Sequence, residues 1–210
     1  RAERRASLAG GSLASNATLR EGEGHWEVQG DPTEAALLVA ERKLGVDGAR
    51  TERFERVAEI PFDSERKLMS VIVRDKQQQR TLLVTKGAPD VLLQRCTHVR
   101  VGDGVQALED THVEQAQRDI EAMSGDALRT LAVGYRVLPE DAPAQPTPEL
   151  EHDLVLAGMV GIIDPPRPEA AQAIAEARAA GVRVIMITGD HPRTAQRIAT
   201  DLGIIEAGDT

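Results

Sequence analysis

The chain changes period near Phe54. From there, apolar residues come in short runs with β-branched members, Leu68 to Arg74 and Thr81 to Thr85, separated by the polar stretch Asp75 to Gln79. Such runs predict buried strands, and a polar turn of that length joins them as an antiparallel hairpin. Phe54 to Ile60 alternates and predicts a strand ahead of the hairpin. Lys86-Gly87 closes the second run. Pro89 then suits the first turn of a helix carrying Val91, Leu92 and Leu93, with Cys96 near its end. A lysine thus stands at a strand end beside a glycine, where a ligand has room to approach the backbone. A solvated lysine at a strand–turn–helix junction explains the same pattern.

Helical spacing appears first after Gly30. Asp31 is a good N-cap, Pro32 suits the first helical position, and Glu34 falls where a capping box puts its acid. The predicted helix runs to about Leu44, buries Ala36, Leu37, Ala40 and Leu44, and ends at Gly45. Capping alone accounts for Asp31, Pro32 and Glu34. Residues 1–24 are small, polar and Gly-rich with no sustained period, and His25 to Gln29 predicts a short strand. Phe62 falls between two strands in a connector otherwise full of charge. It reads either as a core anchor or as the floor of a pocket for a flat ring. Val99 to Leu108 predicts a hairpin, Thr111 to Met123 an amphipathic helix, and Leu128 to Leu138 a strand with Leu131, Val133 and Tyr135 on one face and Arg129 at its start. Pro139, Pro143, Pro146 and Pro148 mark an exposed loop.

Leu154 to Ile163 predicts another strand, stopped by Asp164-Pro165-Pro166-Arg167-Pro168. Glu169 to Ala180 is an Ala-rich helix closed by Gly181; Val182 to Ile187, apolar apart from Arg183, predicts a strand; residues 192–202 form the next helix. This order predicts β-α-β-α on a parallel sheet. Thr188-Gly189-Asp190 then lies at the carboxyl end of a strand, where open α/β sheets hold their ligands. The expected fold class is α/β. Residues 1–163 form an α+β part with an antiparallel sheet flanked by helices, and residues 164–210 a partial Rossmann-like piece.

Composition narrows the function. The 210 residues carry 25 Lys and Arg against 34 Asp and Glu, a net charge of -9. That argues against nucleic acid as a partner, since a phosphate backbone needs a basic face. One cysteine excludes an internal disulfide framework and a multi-cysteine zinc site, and a lone thiol fits a reducing compartment. No run of about 18 apolar residues is present. Aromatics make up only 2% of the chain, as Trp26, Phe54, Phe62 and Tyr135, so a ring in a charged turn stands out. Lacking an initiator methionine, the chain reads as a piece of something longer.

Six blocks, taken in order, resemble the cytoplasmic part of P-type cation-transporting ATPases of the type II, calcium-pump-like branch. They are Gly30-Asp31-Pro32-Thr33-Glu34-Ala35-Ala36-Leu37, Pro61-Phe62-Asp63-Ser64-Glu65-Arg66-Lys67-Leu68-Met69-Ser70-Val71, Lys86-Gly87-Ala88-Pro89-Asp90, Leu128-Arg129-Thr130-Leu131-Ala132, Asp164-Pro165-Pro166-Arg167 and Thr188-Gly189-Asp190. The resemblance implies a nucleotide-binding domain up to about Ile163, then part of a phosphorylation domain of the haloacid-dehalogenase type. It implies that Phe62 stacks on adenine, that Lys67, Lys86 and Gly87 line the same pocket, and that Glu34 faces the adenine amino edge. By the same likeness Met69 and Leu131 touch the base, and Arg129 reaches the phosphates. Thr188, Gly189 and Asp190 lie near the transferred phosphate, and Asp164 to Arg167 form the hinge. A base needs a flat apolar slot with a few placed polar groups, and arginine offers phosphate a planar fork.

Two family stretches are absent. The chain has neither Asp-Lys-Thr-Gly-Thr, which carries the phosphorylated aspartate, nor the Gly-Asp-Gly-Val-Asn-Asp block that helps hold Mg²⁺. No catalytic residue and no metal ligand are therefore assigned. The chain is expected to bind ATP without turning it over, and Mg²⁺ belongs to the full-length protein. The implied partners are ATP, a transported cation and the membrane domain of the same parent chain, and the implied place is the cytoplasmic portion of an integral membrane protein. His191-Pro192 reads as a simple helix start. A haloacid-dehalogenase-type phosphatase would need a nucleophilic Asp-x-Asp upstream, which the chain lacks. A non-catalytic interaction domain would leave adenine nucleotides unbound.

Overall fold

A computed structural model describes residues 2–22, 26–45, 47–126, 128–139, 146–163, 167–187 and 192–205. The architecture is α/β. In chain order the elements are α1 (Ala2–Leu13), β1 (Thr18–Glu21), β2 (Trp26–Gln29), α2 (Pro32–Lys43), α3 (Asp47–Arg53), β3 (Phe54–Asp63), β4 (Leu68–Asp75), β5 (Arg80–Gly87), α4 (Pro89–Leu93), β6 (Cys96–Val101), β7 (Gly104–Ala107), α5 (Asp110–Gly125), β8 (Arg129–Leu138), a 3-10 turn (Pro148–Leu150), β9 (Leu154–Ile162), α6 (Pro168–Ala179) and α7 (Pro192–Asp201).

Among the described residues, seven strands form one sheet in the order β3-β4-β5-β8-β9-β6-β7, and β1 pairs with β2 apart from it. The hairpin read from the apolar runs is present, with Leu68 opposite Gly87 and Asp75 opposite Arg80. Strand β8 lies antiparallel on the other side of β5, from Thr81 opposite Leu138 to Gly87 opposite Ala132. Lys86 and Gly87 are the last two residues of β5, at the strand end as expected, and are paired on both sides. The expected all-antiparallel sheet needs correction, because β6 runs parallel to β9, with Cys96 opposite Leu154. Parallel pairing requires a long crossover, and apolar runs carry no information on strand direction. Cys96 opens β6 instead of lying in α4, which ends at Leu93.

Strand alternation sorts the central side chains onto two faces. Met69, Val71, Val73, Leu82, Val84, Val133 and Ala157 form one core with Leu13 and Ala14 of the N-terminal segment. That segment carries no apolar period, yet it includes α1. The helix buries itself through small residues. A Cβ on Gly10 would stand 2.7 Å from a Val133 methyl, and one on Gly11 3.0 Å from Leu37. Ser7 Oγ donates to the Ala157 carbonyl at 2.9 Å. Helix α2 follows its predicted bounds but buries Ala35, Leu37 and Glu41, while Leu44 is exposed. On the other face of the sheet Leu68, Leu83, Leu92 and Leu154 are fully buried.

The chain divides into two compact units, Arg1–Glu114 with Leu131–Val160, and Gln115–Thr130 with Gly161–Thr210. In the second unit α6 and α7 form as predicted. The β-α-β expectation fails at two points. Strand β9 belongs to the seven-stranded sheet beside β8 and β6, and residues 182–187 take no strand conformation. An apolar run becomes a strand only where a neighbour completes its backbone hydrogen bonds, and residues 182–187 have no ladder partner among the described residues. Asp164, Pro165, Pro166, Thr188, Gly189 and Asp190, with His25 and His191, lie outside the described residues. Arg167 is exposed and extended immediately before α6.

Candidate functional site

Lys86 sits on the Met69 face of β5, directly across from Met69. Its Nζ donates to Glu34 Oε1 at 2.6 Å. Glu34 comes from the first turn of α2, where Asp31 Oδ1 accepts from the backbone N–H groups of Thr33 at 2.8 Å and Glu34 at 3.2 Å. Asp31 and Pro32 therefore cap the helix as the sequence predicts, but the Glu34 carboxylate is directed elsewhere. Its Oε2 accepts from the N–H groups of Asn16 at 2.8 Å and Ala17 at 3.1 Å. Gly30 makes this approach possible. Its φ is +110°, and a Cβ there would stand 2.9 Å from Ala17 Cα. One ion pair thus ties the loop after α1, the start of α2 and a central strand.

The electrostatics follow from burial. Removal from water pushes the Lys86 ammonium below the usual lysine range, against the support of Glu34 and Asp31. Burial works to raise the Glu34 carboxyl, but the hydrogen bond from Lys86, the Asn16 N–H, the Lys86 charge and the Ala17 N–H outweigh it and hold it below the usual carboxylate range. Arg56 of β3 adds a second cation. It donates to the Ser15 carbonyl at 2.9 Å and to Asn16 Oδ1 at 2.8 Å, and it pairs with Glu59. No spacing in the sequence marks Arg56, because it reaches residues about forty positions earlier.

Phe62 is 62% exposed. This rules out the core-anchor alternative. The ring is near the end of β3, where the register with β4 breaks between Ile60 and Asp63. The turn that follows is well determined. Asp63 Oδ1 accepts from Glu65 N–H at 3.0 Å and Arg66 N–H at 2.8 Å, and the Asp63 carbonyl accepts from Lys67 N–H at 2.6 Å. Lys67 is exposed, with a left-handed φ of 56°. Arg66 donates to the Pro61 carbonyl at 2.6 Å and pairs with Glu151, whose side chain is fully buried. Sequence reasoning passed over Glu151, since an acid in Glu149-Leu150-Glu151-His152-Asp153 reads as surface.

Gly87 has a different explanation from the one its position suggested. A Cβ there would lie 2.2 Å from the Lys67 carbonyl oxygen and 2.7 Å from Leu68 Cδ2. The close approach of the chain's own turn is by itself enough to require a glycine at this position. Met69 is 2% exposed and belongs to the core beneath Lys86. Leu131 is half-buried on β8, and Arg129 is exposed at the start of that strand. Two hollows lie elsewhere: one of about 590 Å³ along α2, lined by Val28, Pro32, Ala36, Val39 and Lys43, and one of about 680 Å³ in the second unit, lined by Val184, Met186, Ala199 and Ile204. The only cysteine, Cys96, donates to the Leu92 carbonyl at 3.2 Å, and burial pushes its thiol up to about 12. Among the described residues no three His, Cys, Asp or Glu side chains converge as a metal site, and no helix is long and apolar enough to cross a membrane.

Comparison with known proteins places this geometry. Residues 4–169 match the family described as P-type ATPase, cytoplasmic domain N. The chain belongs to that family. A calcium-transporting ATPase of Bacillus subtilis (strain 168) is 43% identical over 197 residues, covering 93% of this chain and 22% of the relative. Calcium-transporting ATPase 1 of Lactococcus lactis subsp. lactis (strain IL1403) is 46% identical over 184 residues, covering 87% of this chain and 21% of the relative. The sodium/potassium-transporting ATPase subunit alpha-1 of Oreochromis mossambicus is 37% identical over 193 residues, covering 87% and 19%. The chain therefore spans about a fifth of the length of these curated relatives. As a P-type ATPase N domain, the matched segment takes in Glu34, Phe62, Lys67, Met69, Lys86, Gly87, Arg129 and Leu131, and ends before Thr188.

Proposed function

We propose that this chain is the ATP-binding module of a cation-transporting P-type ATPase, with Phe62 as the platform for adenine. The observation that carries the reading is the exposure of that ring, one of four aromatics in 210 residues, on a turn held by hydrogen bonds. An exposed aromatic on a fixed backbone loses little on receiving a flat base, and each stacked base contributes about 1–3 kcal/mol. Lys86 and Glu34 supply a cation and an acid for the polar edge of the base or the ribose and phosphates. Both are already engaged with each other, so a ligand that takes either one exchanges an existing ion pair for its own contacts. Lys67 and Leu131 extend the pocket, and Met69 supports it from beneath. Arg129 contributes charge to the phosphates.

In the parent pump, ATP with Mg²⁺ would phosphorylate an aspartate outside these residues, since no Asp-Lys-Thr-Gly-Thr stretch occurs here. Residues 164–210 would be the start of the phosphorylation domain, Asp164 to Arg167 its hinge, and Thr188, Gly189 and Asp190 its loop near the transferred phosphoryl group. Phosphoryl transfer is mainly positioning and charge neutralisation, so the domain that holds the base can be separate from the one that does the chemistry. Relatives named for calcium and for sodium and potassium each match most of this chain, which leaves the cation to the membrane part. Titration of the chain with ATP by calorimetry tests the reading. Phe62→Ala should weaken binding by about 1–3 kcal/mol and shift stability by less than about 0.5 kcal/mol, as for an exposed side chain. Unchanged affinity in a folded Phe62→Ala protein would remove Phe62 from the site.

A further inference from the structure

We infer that Arg66 and Glu151 are positioning residues for the ligand that Phe62 receives, an inference that rests on the nucleotide reading above. The guanidinium of Arg66 joins both ends of the segment that carries the ring. Nη2 donates to the carbonyl of Pro61, the residue just before Phe62, at 2.6 Å, and Nη1 pairs with Glu151 Oε1. Phe62 itself lies where the β3–β4 ladder loses register, so ladder pairing does not fix it. The fork of Arg66 takes over that task.

The anchor on the other side is buried and multiply hydrogen-bonded. Glu151 is fully buried, and its Oε1 also accepts from Ser70 Oγ at 2.5 Å, which in turn shares a hydrogen bond of 2.8 Å with Thr85 Oγ1. The backbone around Glu151 is clamped to the sheet: Arg136 Nη1 donates to the His152 carbonyl at 3.0 Å, and Arg95 Nη1 to the Glu151 carbonyl at 3.4 Å. Thr85 immediately precedes Lys86. A single buried chain of polar groups therefore runs from the Phe62 turn to the strand that bears Lys86. Among the described residues, Glu151 Oε2 is buried without a hydrogen-bond partner. A buried carboxylate satisfied on one oxygen is a poor way to gain stability, since apolar residues of similar volume commonly do as well or better. Fixing one backbone geometry is what such a pair does that apolar residues do not.

The test is a mutant cycle on the full chain, with ATP as the probe. The double variant Arg66→Met/Glu151→Leu replaces the pair by apolar side chains and should keep a melting midpoint close to the parent's. It should bind ATP about five- to tenfold more weakly, a part of the stacking contribution. Without nucleotide, its amides at residues 62–67 should exchange hydrogen faster, while those of β4 and β5 stay protected. In a Phe62→Ala background the same pair of changes should weaken binding no further, because the pair acts through the ring. Parent-like affinity in the folded double variant, or losses that add in the Phe62→Ala background, would overturn the inference. If the double variant unfolds, Glu151→Gln replaces it in the same cycle. If the parent itself does not bind ATP, the nucleotide reading fails, and unchanged exchange at residues 62–67 would then overturn the positioning role separately.

Discussion

Two runs that both read as strands from their apolar residues have opposite fates. Leu82 to Val84 in β5 lies between β4 and β8 and is buried, with Leu83 wholly inaccessible. Val182 to Ile187, apolar apart from Arg183, forms no strand, and its last member Ile187 is 93% exposed. The difference is the neighbours. The first run has a partner on each side and a core on each face. The second has no ladder among the described residues and lines a hollow of about 680 Å³. A strand is a property of its pairing, and apolar, β-branched composition alone cannot supply that.

The largest test of this contrast is a pair of truncations. Leu83→Ala should destabilise the chain by about 2–5 kcal/mol, as for a fully buried leucine, whereas Ile187→Ala should stay within about 0.5 kcal/mol. Urea melts on both variants measure it. An Ile187→Ala cost as large as that of Leu83→Ala would mean the second run is buried in solution, through self-association or otherwise, and would break the contrast.

A smaller effect sharpens it at two glycines. Gly87→Ala pushes a Cβ to within 2.2 Å of a backbone oxygen that is itself in a paired turn, which should cost about 1–3 kcal/mol as overpacking does. Gly181, at the start of the unpaired run, has no atom within 4 Å of such a Cβ and a φ of +79°. Gly181→Ala should therefore cost only the left-handed backbone strain, about 1 kcal/mol. Thermal melts of the two variants rank them.

The smallest effect is on pH. Glu34 and Asp75 both have carboxyls held below their ordinary range: Asp75 by the hydrogen bond from Arg53, at 2.9 and 2.6 Å, against the opposing effect of burial. In each case the unfolded form binds the proton first. Their contributions to stability are complete above the unfolded carboxylate range and are lost as pH falls through the lowered folded values. Lys86 has the same slope at the alkaline end. Its folded value lies below its unfolded one, so stability rises with pH between the two. Glu34→Gln and Asp75→Asn should each flatten the acid limb of a stability–pH profile, and an unchanged limb would show that the pairing is absent in solution.

The paired region was largely legible in the sequence. Its hairpin, the cap of α2 by Asp31 and Pro32, and the face shared by Leu131, Val133 and Tyr135 follow from period and local chemistry. What was not legible depends on contacts between distant positions. Helix α1 packs by having almost no side chains at Gly10 and Gly11, so it leaves no apolar period. The direction of β9 against β6 is fixed by chain crossover. The role of Glu34 was hidden by its suitability as a capping acid, and that of Gly87 by the assumption that room beside a glycine is left for a ligand. Arg56 and Glu151 act across 40 and 85 positions, on Asn16 and Arg66. No local pattern reports either.

Cys96 has a practical consequence. Its half-buried thiol is bonded to a carbonyl and pushed up to about 12, which keeps it mostly protonated at neutral pH. Cys96 should therefore react more slowly with a maleimide than an exposed thiol. A cysteine introduced at an exposed position, such as Ser64 in the turn after Phe62, should take a maleimide dye selectively. That gives a fluorescent reporter of the turn's motion without first removing the native residue.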